Sequence, residues 1–231
     1  MQILLAAATT FEIQPTIDFL LNPDSVPSPP PHRLSFLITG VGSMATTWSF
    51  MRQIGRDRPD LIIQAGIAGC FTGKDPGEVV VVKEEIPGDL GVWEDQQFKT
   101  LFDLELTDAD STPFSGGRLV NPYRQLLTLT SLEPVKGITV NEITTHPDRI
   151  RWHQQNTAAV VESMEGGALH YVCLQENIAF LQLRSVSNAI GVRDKTKWNI
   201  PLAIDRLNQQ LIQVIQQLDT KDKSVLEPTN Q

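Results

Sequence analysis

Cysteine is scarce in this chain, with Cys70 and Cys173 alone among 231 residues. Two thiols this far apart build neither a disulfide framework nor a CxxC zinc site. Two buried thiols in a reducing cytoplasm are the expectation. Histidine is also sparse, and His32, His146, His153 and His170 lack metal-ligand spacing, so no metal is expected. No apolar run approaches the roughly 18–20 residues of a membrane helix, so no membrane partner is expected. The opening MQILLAAATTFEIQP has no basic n-region and carries Glu12 where a signal peptide would still be apolar, which reads as mature sequence from Met1. Positive charge is in deficit: Lys and Arg number 19 against 27 Asp and Glu, a net charge of −8. A nucleic-acid backbone binder normally shows a basic face, so no nucleic acid is expected as a partner. A small nucleoside is not excluded by charge. Two catalytic signatures are missing as well, the G-x-S-x-G elbow of the common serine hydrolases and the GKT or GKS of a P-loop.

What is present is a core. The composition, 41% hydrophobic and 20% charged, is that of a soluble globular domain. Apolar runs rich in β-branched residues fall at Ile3–Ala8, Leu34–Thr39, Leu61–Ala65, Glu78–Val82, Ile138–Val140, Ala158–Val161 and Ala179–Val186. Several are apolar on successive residues rather than alternating, which suits strands buried on both faces. Helix candidates lie between them: Ser43–Arg56 after a G-V-G-S turn, Met164–Gln175, and Pro201–Leu218. In the last, Ile204, Leu207, Leu211, Val214, Ile215 and Leu218 fill one face behind a first-turn proline. Strands alternating with helices indicate an α/β layered domain with a largely parallel sheet. One domain over residues 1–218 is expected, followed by a polar, frayed tail over 219–231. Asn22–His32 reads as a Pro- and Ser-rich surface loop. Residues 87–136 show weak periodicity and read as loops and irregular pieces, where α/β enzymes often build a pocket.

Five short motifs are candidates for chemistry. The first strand runs into T-T-F-E, which sets Glu12 just past the C-terminal end of a buried strand, the edge at which open α/β sheets bind ligands. The same carboxylate fits a plain role in the first turn of the next helix. Gly40-Val41-Gly42-Ser43 follows a strand and opens a helix, so its backbone can approach a ligand closely. It lacks the third glycine of a dinucleotide fingerprint, and a tight turn is the default. Gly66-Ile67-Ala68-Gly69 is either a ligand-facing turn or close packing. In Glu162-Ser163-Met164-Glu165-Gly166-Gly167-Ala168, Glu162 and Glu165 stand three apart and can share a helix face; an acidic helix N-terminus explains them equally well. Arg184-Ser185-Val186-Ser187-Asn188 ends the most apolar late strand, and a polar cluster there is a pocket signature or a strand passing into a turn. The Asn188 side chain holds an acceptor oxygen and a donor NH₂, which suits a base edge of mixed polarity. Arg193, Asp194, Lys195 and Trp198 follow in what reads as a solvated loop.

Taken in order, these pieces resemble the purine nucleoside phosphorylase and nucleosidase family: the strand ending at Glu12, G-V-G-S, Q-A-G-I-A-G, the E-S-M-E-G-G-A segment and R-S-V-S-N, over residues 1–188, with the long terminal helix in place. D-L-G at Asp89–Gly91, E-S-M-E-G at Glu162–Gly166, and S-N followed by G-V-R-D-x-x-x-W-N-I are similar to the branch of that family that hydrolyses futalosine in menaquinone biosynthesis. The resemblance implies a three-layer α/β fold, with a twisted, mixed, mostly parallel central sheet flanked by helices and a nucleoside substrate across the strand C-termini. It implies cleavage of an N-glycosidic bond through an oxocarbenium-like transition state, with no cofactor. Glu12 matches the carboxylate that activates water, Glu165 the acid that binds ribose hydroxyls, and Met164 the residue against the sugar. Arg184 matches a polar residue near the water and Glu12, and Ala68, Gly69 and Ser187 are carried over as substrate-binding positions. A homo-oligomer, dimer or higher, is implied, with a neighbour closing the 5′ pocket.

Asn188 stands where methylthioadenosine nucleosidases carry an aspartate. Asparagine can accept from N7–H and donate to O6 of a 6-oxopurine, whereas an aspartate would confront the O6 lone pairs. Hypoxanthine is therefore the expected leaving group. Between Ala6 and Gln14 there is no Lys or Arg, and Glu12 would repel phosphate, so hydrolysis is favoured over phosphorolysis. Arg33, Arg52 and Arg184, remote in sequence, leave phosphate open. The carboxyphenyl ketone at the 5′ end of futalosine calls for an apolar pocket with a cation or amide at its far end. Trp93, Phe98, Phe102 and Phe114 are candidates for its lining, with core packing as the alternative. The competing readings are a nucleosidase or phosphorylase for another purine nucleoside and a nucleoside-binding protein without turnover.

Overall fold

The computed structural model describes residues 1–25, 31–95, 97–192 and 194–229. Part of the expected 22–32 loop, Arg193 of the late loop and the last two residues of the tail lie outside the described residues, as does the Lys195 side chain. The strands are β1 (Gln2–Ala7), β2 (Arg33–Ile38), β3 (Leu61–Cys70), β4 (Val79–Pro87), β5 (Gly91–Glu94), β6 (Gln97–Thr100), β7 (Leu119–Val120), β8 (Glu133–Thr139), β9 (Val161–Ser163) and β10 (Ala179–Ala189). The helices are α1 (Thr10–Leu21), α2 (Ser43–Arg56), α3 (Arg124–Leu129), α4 (Pro147–Asn156), α5 (Gly166–Glu176) and α6 (Ile200–Leu218). None of them is long and apolar enough to cross a membrane.

The sheet is mixed. β1–β2, β1–β3, β3–β10, β4–β8 and β8–β9 pair in parallel, while β3–β9, β4–β10 and β4–β7 are antiparallel. A twisted, mixed, mostly parallel sheet flanked by helices was the expectation; the sheet is mixed, and β3, β10, β4, β8 and β9 of it close into a five-stranded ring. The cause is the length of β3. Its first residues pair with β1 as far as Gln64, and its last, Gly69 and Cys70, pair with β9. A long twisted strand turns its edge from one neighbour to another. Register shifts in β10 at Val186/Asn188 and in β4 at Val82/Glu84 add the curvature that closure needs.

Side-chain alternation decides what fills the ring. Ala68, Cys70, Val80, Val82, Val135, Val161 and Val186, from all five strands, form one apolar cluster. Two residues earlier, the same faces of β3 and β10 carry Gly66, Gln64, Arg184 and Gln182, in register as Gly66↔Arg184 and Gln64↔Gln182. The ring interior is thus apolar at one level and polar at the next. Outside it, α6 covers β3 and β10 and packs on α1, and α5 packs on α2. Leu207, Leu211, Val214, Ile215 and Leu218 of α6 join Ile3, Leu5, Ile63 and Leu183 in the main core, as the helical period of α6 predicts.

Several expectations need correction. Glu162 lies on β9 and Glu165 directly precedes α5, so the two do not share a helix face. Residues 87–136 contain the β5–β6 hairpin, β7 and α3 as well as turns, and α4 was not foreseen. The tail does not fray throughout: Lys223–Leu226 form a short 3-10 turn that puts Val225 against the core, and Thr229 N donates to the Pro122 carbonyl at 3.0 Å. Cys70 and Cys173 are buried and unpaired, as expected.

Candidate active site

Glu12 is the third residue of α1 and 5% exposed. Burying a carboxylate requires donors, and three reach it. Thr9 N and Thr9 Oγ1 donate to Oε2 at 2.9 and 2.8 Å, and Ile67 N donates to Oε1 at 3.1 Å. The carboxylate therefore completes the capping box of α1 and is also tied to β3. Opposite stands Arg184, 1% exposed, whose Nη2 donates to Gln64 Oε1 at 3.0 Å and whose Nη1 lies 3.6 Å from Glu165 Oε2. Gly66 brings the two together. A methyl group there would overlap Arg184 Nη1 and come within 2.9 Å of Glu12 Oε1. The glycine of Q-A-G-I-A-G is the residue that lets both charges converge on one point of β3.

Glu165 is held from a different direction. Gly42 N donates to its Oε1 at 3.0 Å, and Ser43 Oγ donates to the Met164 carbonyl at 3.2 Å. Gly40 and Gly42 have φ of +83° and +91°, conformations open to glycine. The G-V-G-S turn thus aims a backbone N–H at an acid. Behind Glu165, the start of α5 is tied to the ring interior. Gly167 N donates to Thr139 Oγ1 at 2.6 Å, Thr139 Oγ1 donates to Glu85 Oε2 at 2.9 Å, and Gln182 Nε2 donates to Glu85 Oε1 at 2.7 Å. Glu85 is fully buried, and that burial pushes its carboxyl up to about 7. A side chain at Gly166 would overlap both Glu85 and Gln182, which explains why small residues follow Glu165.

Glu12, Glu165, Met164, Ala68, Gly69, Ser187 and Asn188 all line one cavity of about 230 Å³. Arg184 is not in the lining but lies directly behind Glu165. Asn188 is 9% exposed. Its Oδ1 accepts from Ser187 Oγ at 2.7 Å and its Nδ2 donates to the Ala189 carbonyl at 2.9 Å, which fixes the amide's orientation. One N–H and one lone pair remain for a ligand. Gly69 leaves the space in front of it clear, since a methyl there would meet Ile190 at 2.9 Å and the Asn188 amide at 3.7 Å.

The apolar lining includes Phe11, Val41, Ile143 and Trp198, none of which sequence reasoning named as a site residue. Phe11 and Val41 both lay inside recognised motifs, T-T-F-E and G-V-G-S. Ile143 and Trp198 come from loops with no periodic signal. Glu162, in the same lining, accepts from Thr144 N at 3.1 Å, and burial raises its carboxyl above the usual range. The aromatic candidates for the 5′ group are not brought to this cavity. Trp93 and Phe98 line a separate cavity with Arg149 and His153, Phe98 packs edge-on against Trp152, and Phe102 packs against Phe114. Arg33 pairs with Asp57 on the surface and Arg52 sits 5.0 Å from the Trp48 ring. Among the described residues no Lys or Arg lines the cavity.

Three buried acids and an orienting amide line one cavity at the ends of parallel strands, with a buried arginine beside one of the acids, which is the arrangement of an α/β enzyme that acts on a small polar substrate. The chain belongs to the phosphorylase superfamily, whose family model matches residues 32–218. A futalosine hydrolase from Acidothermus cellulolyticus is 34% identical over 178 residues, covering 74% of this chain and 70% of that protein. The structure of a futalosine hydrolase from Helicobacter pylori superposes with a TM-score of 0.74 at 13% identity, covering 94% of this chain and 98% of that one. A 5′-methylthioadenosine/S-adenosylhomocysteine nucleosidase from Colwellia psychrerythraea, in complex with adenine, gives 0.77 at 16% identity over 94% and 96% of the two chains.

Proposed function

We propose that this protein hydrolyses the N-glycosidic bond of futalosine and releases hypoxanthine, within menaquinone biosynthesis. The observation that carries the reading is that Glu12, Glu165 and an oriented Asn188 share one cavity. Futalosine hydrolase relatives with the same fold support it. In this mechanism Glu165 accepts hydrogen bonds from the ribose hydroxyls, with Met164 against the sugar. Glu12 takes a proton from water as the water oxygen bonds to C1′. The C1′–N9 electrons leave with the base, which is protonated at N7 from solvent. Asn188 Oδ1 accepts from N7–H and its free Nδ2–H donates to O6, so the departing charge meets preorganised dipoles. The carboxylates of Glu12 and Glu165 also favour a ribosyl cation over a neutral ground state. A phosphate nucleophile is disfavoured because Gly42 N already serves Glu165 and no described cation lines the cavity.

A homo-oligomer belongs to the same proposal. Val41, Met44 and Trp48 form an exposed stripe on and before α2, at 58%, 87% and 62% exposure, an apolar surface of the kind that marks an interface. Val41 and Phe11 also line the cavity, so a second copy seated on the stripe covers its mouth and supplies the missing 5′ wall. The two buried free thiols support a cytoplasmic location.

The test is a mass-spectrometric product assay with futalosine, inosine and methylthioadenosine, each with and without phosphate, for the wild type and Glu12→Gln. Hypoxanthine from futalosine, independent of phosphate, is expected, with a loss of roughly 10²–10⁴-fold in the variant. Preferred release of adenine from methylthioadenosine overturns the reading of Asn188. A phosphate requirement overturns the role of Glu12.

A further inference from the structure

Asn208 lies in the middle of α6, 3% exposed, on the helix that packs against α1. A polar side chain between two apolar helix faces is costly unless it is paired, and this one is saturated. Its Oδ1 accepts from Thr16 N at 3.0 Å and from Thr16 Oγ1 at 2.6 Å. Its Nδ2 donates to the Glu12 carbonyl at 2.9 Å and to the Ile204 carbonyl at 2.7 Å. All the donors and acceptors of the amide are used, and their polarity allows only one orientation.

The partners in α1 are not arbitrary. Glu12 C=O and Thr16 N–H stand four residues apart, the two groups that an α-helix joins to each other. Asn208 stands between them and bonds to both. Pro15 sits in the same turn. It has no N–H to offer the Phe11 carbonyl, and its ring crowds that carbonyl. Pro15 therefore removes one bond of the helical ladder beside the point where the amide binds. Glu12 is therefore held at both ends, its carboxylate by Thr9 and Ile67 and its backbone by α6.

We infer that Asn208 is a positioning residue for Glu12: its amide, bonded to the Glu12 carbonyl and to Thr16 of α1, sets where the carboxylate stands over Gly66. The inference rests on the reading of Glu12 as the group that activates water. Catalysis by positioned groups is sensitive to displacements of about 1 Å, which cost on the order of 10²-fold. Neither an alanine nor an aspartate reproduces these bonds. Alanine loses every bond. Ionised aspartate keeps the acceptors facing Thr16 but presents an oxygen to the Glu12 carbonyl.

The experiment uses the full chain with futalosine as substrate. Asn208→Ala and Asn208→Asp are compared with Leu207→Ala, which cuts a cavity into the same helix one residue away without touching Glu12. Melting temperatures are measured first, and kcat and KM are then determined well below the lowest of them. The expected result is a fall in kcat of about 10–100-fold in both Asn208 variants, with KM changed by no more than about twofold because uniform binding is untouched. Leu207→Ala keeps the wild-type kcat even with an equal or larger drop in melting temperature. Wild-type kcat in the Asn208 variants, or a loss in Leu207→Ala that tracks stability in the same proportion, overturns the inference. Glu12→Gln separates the levels. If it is inactive while Asn208→Ala is fully active, the positioning role alone fails. If Glu12→Gln is fully active, the reading of Glu12 fails and the positioning role with it.

Discussion

Replacing Gly66 with alanine is the sharpest probe of the charge arrangement at this site. The substitution adds one methyl group and no charge. The obstacle is steric rather than torsional, because Gly66 is not among the positive-φ glycines. The new Cβ would overlap Arg184 Nη1 and stand 2.9 Å from Glu12 Oε1. Comfortable carbon contacts begin near 3.5 Å, so each group must retreat by roughly 0.5–1 Å. Arg184 has nowhere easy to go: it is 1% exposed, bonded to Gln64, and next to Glu165. Glu12 can retreat only by giving up its bond from Ile67 N. Overpacking of this kind costs about 1–3 kcal/mol of stability, and misplacing the acid costs on the order of 10²-fold in kcat. Gly55→Ala is the matched control. It lies in α2, and a methyl there meets nothing within 4 Å, so it gains up to about 1 kcal/mol from helix propensity. Denaturant melts and steady-state kinetics on both variants decide the matter. Gly66→Ala with wild-type kcat and undiminished stability would refute the claim that Glu12 and Arg184 converge at this glycine.

Three further outcomes follow from the same geometry. Asn188→Asp should lower kcat/KM on a 6-oxopurine nucleoside by about 10–100-fold relative to a 6-amino one, since one mismatched buried pair is worth about 1–3 kcal/mol; competition between the two substrates measures the ratio. Glu85 carries a carboxyl raised to about 7, so the folded state holds a proton that the unfolded chain releases near the ordinary value of 4.5. Its contribution to stability is therefore present at low pH and lost as pH rises through about 7, by about 3 kcal/mol across that window. His153 and His170, lowered to about 4 by burial, act in the opposite direction between about 4 and 6.5. The wild-type curve is thus the sum of opposed slopes, and the Glu85 share appears as the difference between wild type and Glu85→Gln in melts over that range; identical curves would sink it. On the proposal that a second copy seats on the α2 stripe, Met44→Glu with Trp48→Glu should lower the mass to that of a monomer in light scattering and weaken substrate binding, and an unchanged mass would remove the stripe as the interface.

Which features could be read in advance follows from how local their causes are. The bounds of α2, Ser43–Arg56, match expectation because a glycine turn and an amphipathic face are both written within that segment. The positions of Glu12, just past β1, and of Asn188, near the end of β10, were legible for the same reason: a buried run stops and a polar residue follows. The ring was not legible, because closure depends on β3 exchanging β1 for β9 midway, and an apolar run states that it is buried without naming its neighbours. The spacing of Glu162 and Glu165 misled because three residues fit a helical turn as well as a passage from β9 into α5. Asn208 shows the limit most plainly. Nothing near it in sequence separates it from an ordinary exposed helix asparagine, and Pro15 by itself reads as a flaw in α1. Only the packing of α6 on α1, 192 residues apart at the Thr16 contact, turns the two anomalies into one fitted joint. Most of the polar lining of the cavity is encoded in short motifs, and what holds those motifs still is encoded in pairs of residues that only the fold brings together.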